Sequence, residues 1–355
     1  MNPNTKRVFY VKYVASPRFA EVLAARPDVT LQKLENDSPP EVADPVLAAA
    51  HAYQIGAARD ELAVEFHATG RLLARAPNLL VVSSNGAGYD TIDVDACTRA
   101  GVLAVNQAGG NREAVAEHVL AMLLCLCKRL IEADRRSRRE RVFDRTSLIG
   151  HDVVGKTLGI VGIGNIGSRV AELCRGLFHM RVLAYDPYLT ADQIAVRGAD
   201  KTTLEQVLRE ADAVSINCPR TRETMGMIGA REFALMRPGA LFITTARGGI
   251  HDEAALAEAL RSGRLAGAGL DVWVTEPPQL DHPLLAFDNV VVSPHTAGVT
   301  REARENIARI AAEQILAIFD GKQPARLLNP EAWPAFARRF ERAFGFAPKG
   351  WGEAG

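Results

Sequence analysis

Three side chains in the second half of the sequence are of types that do acid–base chemistry beside a bound anion. Arg247 lies in Thr244-Thr245-Ala246-Arg247-Gly248-Gly249, Glu276 in Asp271-Val272-Trp273-Val274-Thr275-Glu276-Pro277, and His295 in Ser293-Pro294-His295-Thr296-Ala297-Gly298. Arginine is always charged and clamps a planar carboxylate with two N–H donors. Histidine exchanges protons near neutrality, and a glutamate beside it orients the ring and stabilises its charged form. The set suits hydride transfer at a carbon next to a carboxylate, with His295 handling the proton. Singly, each has a plainer reading: Arg247 bonding carbonyls at a sheet end, Glu276 as a turn carboxylate before Pro277, His295 as a solvated loop residue. Their recurrence after three successive strand-like runs sets them apart.

Hydride transfer needs a carrier, and a dinucleotide site is written upstream as Gly162-Ile163-Gly164-Asn165-Ile166-Gly167. Such a glycine pattern is weak alone. Here it follows the apolar run Leu158–Val161 and opens a helical stretch ending near Leu177, the context the mechanism needs. Gly162 permits a tight turn, Gly164 lets backbone approach a pyrophosphate, and Gly167 lets helix and strand pack closely, with the helix N-terminus facing the phosphates. Asp186 ends the next strand-like run, about 20 residues on. A carboxylate there accepts from both ribose hydroxyls and repels a 2′-phosphate, so NAD is expected over NADP; Arg181 sits at the far end of that run. The plainer reading of Asp186 is the start of an Asp-Pro turn with Pro187.

These residues need strands to hold them. Lys156–Gly162, Arg181–Asp186, Ala213–Asn217, Ala240–Thr244, a weaker glycine-rich Leu265–Val272, and Asn289–Ser293 read as six strands with helical crossovers, such as Asp252–Ser262. That is a doubly wound dinucleotide fold, in which ligands bind outside the carboxyl ends of the strands. Arg247, Glu276 and His295 should therefore face one crevice. In the first half, Arg7–Tyr13, Leu79–Ser83 and Gly101–Asn106 suggest a smaller parallel sheet, with the glycine turn Asn85–Gly88 after the second. Asn111–Leu130 reads as one long helix, with Val115, His118, Val119, Met122 and Leu126 at helical spacing. The charged run Arg135–Arg141 reads as a solvated helix end. Thr300–Phe319 reads as a helix, and the tail from Pro330 carries no legible chemistry.

The 355 residues accommodate two domains. With 42 basic against 42 acidic side chains, nothing points to nucleic acid or an anionic membrane. Five cysteines without a Cys-x-x-Cys pair read as free thiols in a reducing compartment. The longest apolar run, Val119–Cys127, is too short to span a bilayer. The N-terminus lacks a secretory segment, so a cytoplasmic location is expected, and no metal site is expected. His51, His67, His151, His179, His251 and His282 are expected to be solvated.

The segments Gly162–Gly167, Ala246-Arg247-Gly248, Asp271–Pro277 and Ser293-Pro294-His295 resemble the D-isomer-specific 2-hydroxyacid dehydrogenase family, a likeness densest between Gly150 and Thr300. The resemblance implies an α/β chain of two Rossmann-like/flavodoxin-like domains with doubly wound parallel sheets, the substrate domain being discontinuous. The implied boundaries are 1–108 and 298–330 for the substrate domain and 109–297 for the NAD domain, with 331–355 as an extension. It further implies that Arg247 binds substrate, that His295 is the acid/base and that Glu276 is its partner. Asn165, Ile166, Cys218, Pro219, Thr224, Thr245, Ala246, Asp271 and His295 would join the glycines and Asp186 around NAD. The backbone of Asn85, Gly86, Ala87 and Gly88 would hold the substrate carboxylate. A homodimer is implied, with the helix after Asn111 at its interface, as are the D isomer and a closing motion between the domains.

Four positions depart from the family pattern: Arg112 stands where a small residue is usual, Thr245 where asparagine is frequent, Arg220 where an apolar residue is usual and His251 where valine is common. Arg112 reads either as a second anion contact, favouring a substrate with an extra acidic group, or as a first-turn residue facing solvent. An alternative of another class is an NAD-sensing binding protein like the corepressors related to C-terminal binding protein. Formate dehydrogenase pairs its histidine with glutamine, and Glu276 argues against it; phosphoglycerate stays open as a substrate.

Overall fold

The computed structural model describes residues 5–140 and 144–350; Arg141, which closes the charged run, lies outside them. The described residues form two compact units. One runs to Asn111 and resumes at Thr300, and the other runs from Arg112 to Val299.

The discontinuous unit holds a five-stranded sheet of β1 (Lys6–Val11), β2 (Val29–Leu34), β3 (Ala52–Ile55), β4 (Val81–Ser84) and β5 (Leu103–Val105), in the order β2-β1-β3-β4-β5. All its pairings are parallel. Successive side chains alternate between two apolar layers, as period-two strands require. Phe9 and Val82 face the helices Pro40–Ala49, Gly70–Arg75 and Val94–Ala100. Val8, Val81, Leu103 and Val105 face the helices Arg301–Phe319 and Trp333–Phe344. The tail is thus structural: Trp333, Phe336 and Phe340 are buried in that layer.

Two strands here escape the sequence reading. β2, Val-Thr-Leu-Gln-Lys-Leu, lies at the edge with only Leu34 fully buried, so half its residues are polar and no apolar run marks it. β3 has four residues, one of them Gln54, whose amide is buried and donates to the Ser84 carbonyl at 3.1 Å.

The contiguous unit holds β6 (Thr157–Val161), β7 (Arg181–Tyr185), β8 (Asp200–Lys201), β9 (Ala213–Ile216), β10 (Ala240–Thr244), β11 (Leu265–Leu270) and β12 (Val290–Val292), ordered β12-β11-β10-β9-β6-β7-β8 and parallel throughout. This is a doubly wound order, and the chain reverses direction across the sheet between β6 and β9. Seven strands replace the six expected, because β8 is a two-residue exposed edge pairing with no apolar signal. β9 and β10 are buried along their whole length, which is why both read as continuous apolar runs.

The long helix expected over Asn111–Leu130 is two helices, Arg112–Cys127 and Leu130–Arg139. Arg129 separates them with a left-handed backbone (φ 50°) and pairs with Glu132 at 2.7 Å. The second helix is solvated, its arginines matched by its own acids in Arg136–Glu140 and Arg138–Asp134.

His251 is not solvated but 2% exposed, and it packs against Phe242 with both ring nitrogens unpaired among the described residues. Burial pushes its pKa down from 6.5 to about 4. Above pH 6.5 the ring is neutral in folded and unfolded chains alike. As pH falls from there toward 4, the unfolded chain takes up a proton that the folded one refuses, so stability is lost across that window, by about 3 kcal/mol at 1.36 kcal/mol per unit. His251→Val should raise the melting temperature at pH 7 by several degrees, since it removes unsatisfied buried polar atoms, and should flatten the acid-side decline. Equal slopes of melting temperature against pH in both proteins would refute this.

Candidate active site

The glycine turn occupies the carboxyl end of β6. Gly162 has φ 85°, and a Cβ there would stand 2.7 Å from the Cα of Cys218 in the loop after β9. A Cβ on Gly167 would meet the Gly162 carbonyl at 2.3 Å, whereas one on Gly164 would meet nothing within 4 Å. The first and third glycines are therefore required by packing, and the second by an open space into which a side chain would project. The helix Asn165–Phe178 starts there, and its first N–H groups have no partner within it. Two buried oxygens at neighbouring strand ends, Asn217 Oδ1 and Thr245 Oγ1, lack partners among the described residues. A cradle without a side chain, free helix N–H groups and orphaned acceptors beyond the strands fit a dinucleotide.

Asp186 follows β7. One carboxylate oxygen accepts from the Tyr188 N–H at 3.1 Å and the other from the Ile163 N–H at 3.2 Å. The Asp-Pro turn is thus real, and the same side chain ties that turn to the glycine loop. Arg181, at the opposite end of β7, pairs with Glu210 at 2.9 Å. In the loop after β9, Thr224 donates to the Pro219 carbonyl at 2.7 Å, and Arg220 reaches the Gly248 carbonyl at 3.4 Å. Arg112 pairs with its neighbour Glu113 at 2.9 Å, and Glu113 pairs also with Arg169.

The loops after β10, β11 and β12 carry the three side chains that the sequence singles out. Gly248 holds the first two loops together: a Cβ on it would lie 1.8 Å from the Trp273 carbonyl oxygen, so only glycine lets the backbones touch. Glu276 accepts from the Trp273 N–H at 3.0 Å with one oxygen and faces His295 Nδ1 at 2.7 Å with the other. Burial pushes the Glu276 carboxyl up, but its hydrogen bonds from His295 and Trp273 outweigh that and hold its pKa below the ordinary value. The same bond to Glu276, opposed by burial, raises the pKa of His295. Arg247 donates to the Ala246 carbonyl at 2.8 Å and lies near enough for its charge to lower both groups.

His295 sits in a left-handed backbone conformation, φ 55°. Its N–H donates to the Asp271 carbonyl at 2.7 Å, and the next two N–H groups, of Thr296 and Ala297, donate to the Asp271 carboxylate at 2.8 and 3.0 Å. Asp271 is 1% exposed, and the structure places its carboxylate under the turn that carries His295. The sequence reading missed the contributions of Trp273, Ser293 and Gly248. Ser293 was signalled only by its place two residues before His295.

In the other unit, Asn85–Gly88 follows β4. The carbonyls of Gly86 and Ala87 accept from the Gln107 N–H at 2.9 Å and the Asn106 amide at 2.8 Å, and that of Gly88 accepts from the Ser84 hydroxyl. Among the described residues the N–H groups of Gly86, Ala87 and Gly88 have no acceptor in the chain. Carbonyls tied back with N–H groups left over make an anion-binding concavity.

A doubly wound sheet with this glycine turn defines a dinucleotide-binding unit. Residues 120–297 match the family described as D-isomer specific 2-hydroxyacid dehydrogenase, NAD binding domain. The chain is 43% identical to D-3-phosphoglycerate dehydrogenase of Archaeoglobus fulgidus over 73% of its own length and 49% of the relative's. It is 42% identical to glyoxylate reductase of Aeropyrum pernix over 73% of its own length and 79% of the relative's. It therefore spans about half the length of the phosphoglycerate dehydrogenase it matches. Among solved structures, D-lactate dehydrogenase of Aquifex aeolicus, complexed with NAD and lactic acid, superposes with a TM-score of 0.76 at 28% identity, covering 90% of this chain and 98% of that one. The chain belongs to the D-isomer-specific 2-hydroxyacid dehydrogenase family. Among the described residues no helix is long and apolar enough to cross a membrane, and no cluster of side chains could hold a metal.

Proposed function

We propose that this chain interconverts a small 2-oxo acid and the corresponding D-2-hydroxy acid with NAD. The observation that carries the reading is His295 held by Glu276 at 2.7 Å within reach of the Arg247 charge. NAD fits the glycine turn, the Asn165 helix terminus and the Asn217 and Thr245 oxygens, and when bound it supplies or accepts the hydride.

The chain's own residues do the rest. Arg247 pairs with the substrate carboxylate and draws electron density from the neighbouring carbonyl. In the other unit, the free N–H groups of Gly86–Gly88 suit an anion such as a carboxylate. His295 gives its Nδ1 hydrogen to Glu276, which leaves Nε2–H to protonate the carbonyl oxygen in reduction and to recover that proton in oxidation. Glu276 stabilises the charged ring. Asp186 accepts from the adenosine ribose, which favours NAD over NADP. The chain acts in the cytoplasm as a homodimer: Leu130, Ile149 and Val154 are apolar, more than half exposed, and lie around the end of the helix Arg112–Cys127 and the start of β6.

The test mixes purified protein with NADH and glyoxylate, hydroxypyruvate, pyruvate or phenylpyruvate, and follows the absorbance of reduced nicotinamide; sedimentation of the same preparation reports its mass. Turnover of at least one acid by a particle of two chains is expected. NADH binding without turnover across the panel would favour a nucleotide-sensing protein, and a single-chain mass would remove the dimer.

A further inference from the structure

We infer that His118, outside the acid/base constellation, is a positioning residue that locks the His295 turn through Ser293 and Asp271. The inference rests on the reading of His295 as the acid/base.

A left-handed backbone at a residue with a Cβ costs about 1–2 kcal/mol, so the turn at His295 must be held by its surroundings. It is held by the carboxylate of Asp271, which receives the N–H groups of Thr296 and Ala297. Asp271 Oδ1 also receives the Ser293 hydroxyl at 2.6 Å. A hydroxyl has one hydrogen, and Ser293 spends it there, so toward any other partner its oxygen can only accept. That partner is His118 Nε2, 2.9 Å away. His118 comes from the helix Arg112–Cys127, which packs on the sheet. The geometry therefore fixes its tautomer: Nε2 carries the hydrogen. The same nitrogen lies 4.0 Å from Asp271 Oδ1. The sequence of bonds is His118 to Ser293 to Asp271 to the turn, with every donor and acceptor assigned.

Without the His118 donor, the Ser293 hydroxyl is free to rotate away from Asp271. The carboxylate then loses a partner, and the turn gains freedom at the residue whose ring must meet the substrate oxygen. Most groups that fit the nucleotide, the glycine turn, Asp186, Asn217 and Thr245, lie outside this chain of bonds, so the larger loss should fall on the chemical step.

Nitrogen NMR of the imidazoles in the nucleotide-free protein tests the tautomer without reference to activity. A hydrogen on His118 Nε2 is expected; a ring with its hydrogen on Nδ1 alone would break the chain of bonds and overturn the inference. In steady-state assays His118→Leu should lower kcat about tenfold, with the NADH dissociation constant and the melting temperature close to those of the wild type. His118→Gln, which keeps a donor at a similar reach, should recover most of the rate. Unchanged kcat in the leucine variant, a loss confined to NADH affinity, or a glutamine variant as slow as the leucine one would each overturn the inference. Absence of turnover by the wild type would instead overturn the reading of the enzyme, while leaving the NMR result to stand by itself.

Discussion

His295→Ala is expected to lower kcat/KM for 2-oxo acid reduction by about 10²- to 10⁴-fold, the usual contribution of a positioned proton donor, while NADH binding stays near wild type. Of the pair on the loops after β11 and β12, Glu276 is held below its ordinary pKa and the His295 ring is raised above its own, which makes the ring the proton donor of the proposed reaction. The pH profile follows from the same bond. Reduction needs the charged ring, so its rate falls as pH rises through the His295 pKa, which Glu276 holds above 6.5. Glu276→Gln removes the negative charge and lets that pKa drop, so the falling limb should move to lower pH. An alanine variant with wild-type turnover, or a glutamine variant with an unmoved limb, would rule out this assignment.

Arg247→Ala should cost roughly 30- to 5,000-fold in kcat/KM, corresponding to the 2–5 kcal/mol lost when one partner of a desolvated ion pair is truncated. Arg247→Lys should recover only part, because an ammonium keeps the charge but not the two-point geometry. A second effect separates this residue from Glu276. The Arg247 charge lowers the pKa of His295, so its removal should move the falling limb of the reduction profile to higher pH, opposite to Glu276→Gln. Limbs moving the same way in both variants would mean that the two charges do not act on one imidazole.

What was legible in the sequence tracks how each element is buried. Arg247, Glu276 and His295 could be placed because β10, β11 and β12 are marked by apolar residues and each loop begins where its run stops. β2 and β8 were invisible because edge strands alternate with or consist of polar residues, and β3 because a buried glutamine interrupts it. The division of the long helix at Arg129 leaves no proline or glycine to announce it; Arg129 adopts the left-handed conformation itself and closes the break with Glu132 and the Ser147 carbonyl. His251 and His118 were misjudged or overlooked for one reason. Sequence gives a histidine's type and spacing, but only packing decides whether a ring is sealed beside Phe242 or set against Ser293. Arg112, read two ways from its type, has a partner in Glu113.

The seam at Asn111 and Thr300 has a consequence for how the chain is made. The sheet face formed by Val8, Val81, Leu103 and Val105 is covered by Ile307, Phe319, Trp333 and Phe340, and the about 190 residues of the contiguous unit come between. At about 5–20 residues per second of synthesis, that face waits on the order of 10–40 s for its cover. The contiguous unit has all its strands and helices in hand before the helix Arg301–Phe319 begins. The nucleotide half is therefore first to finish on the ribosome, while the half that starts first finishes last. A message cut short before the helix Arg301–Phe319 would leave a completed nucleotide fold tethered to an open, apolar sheet.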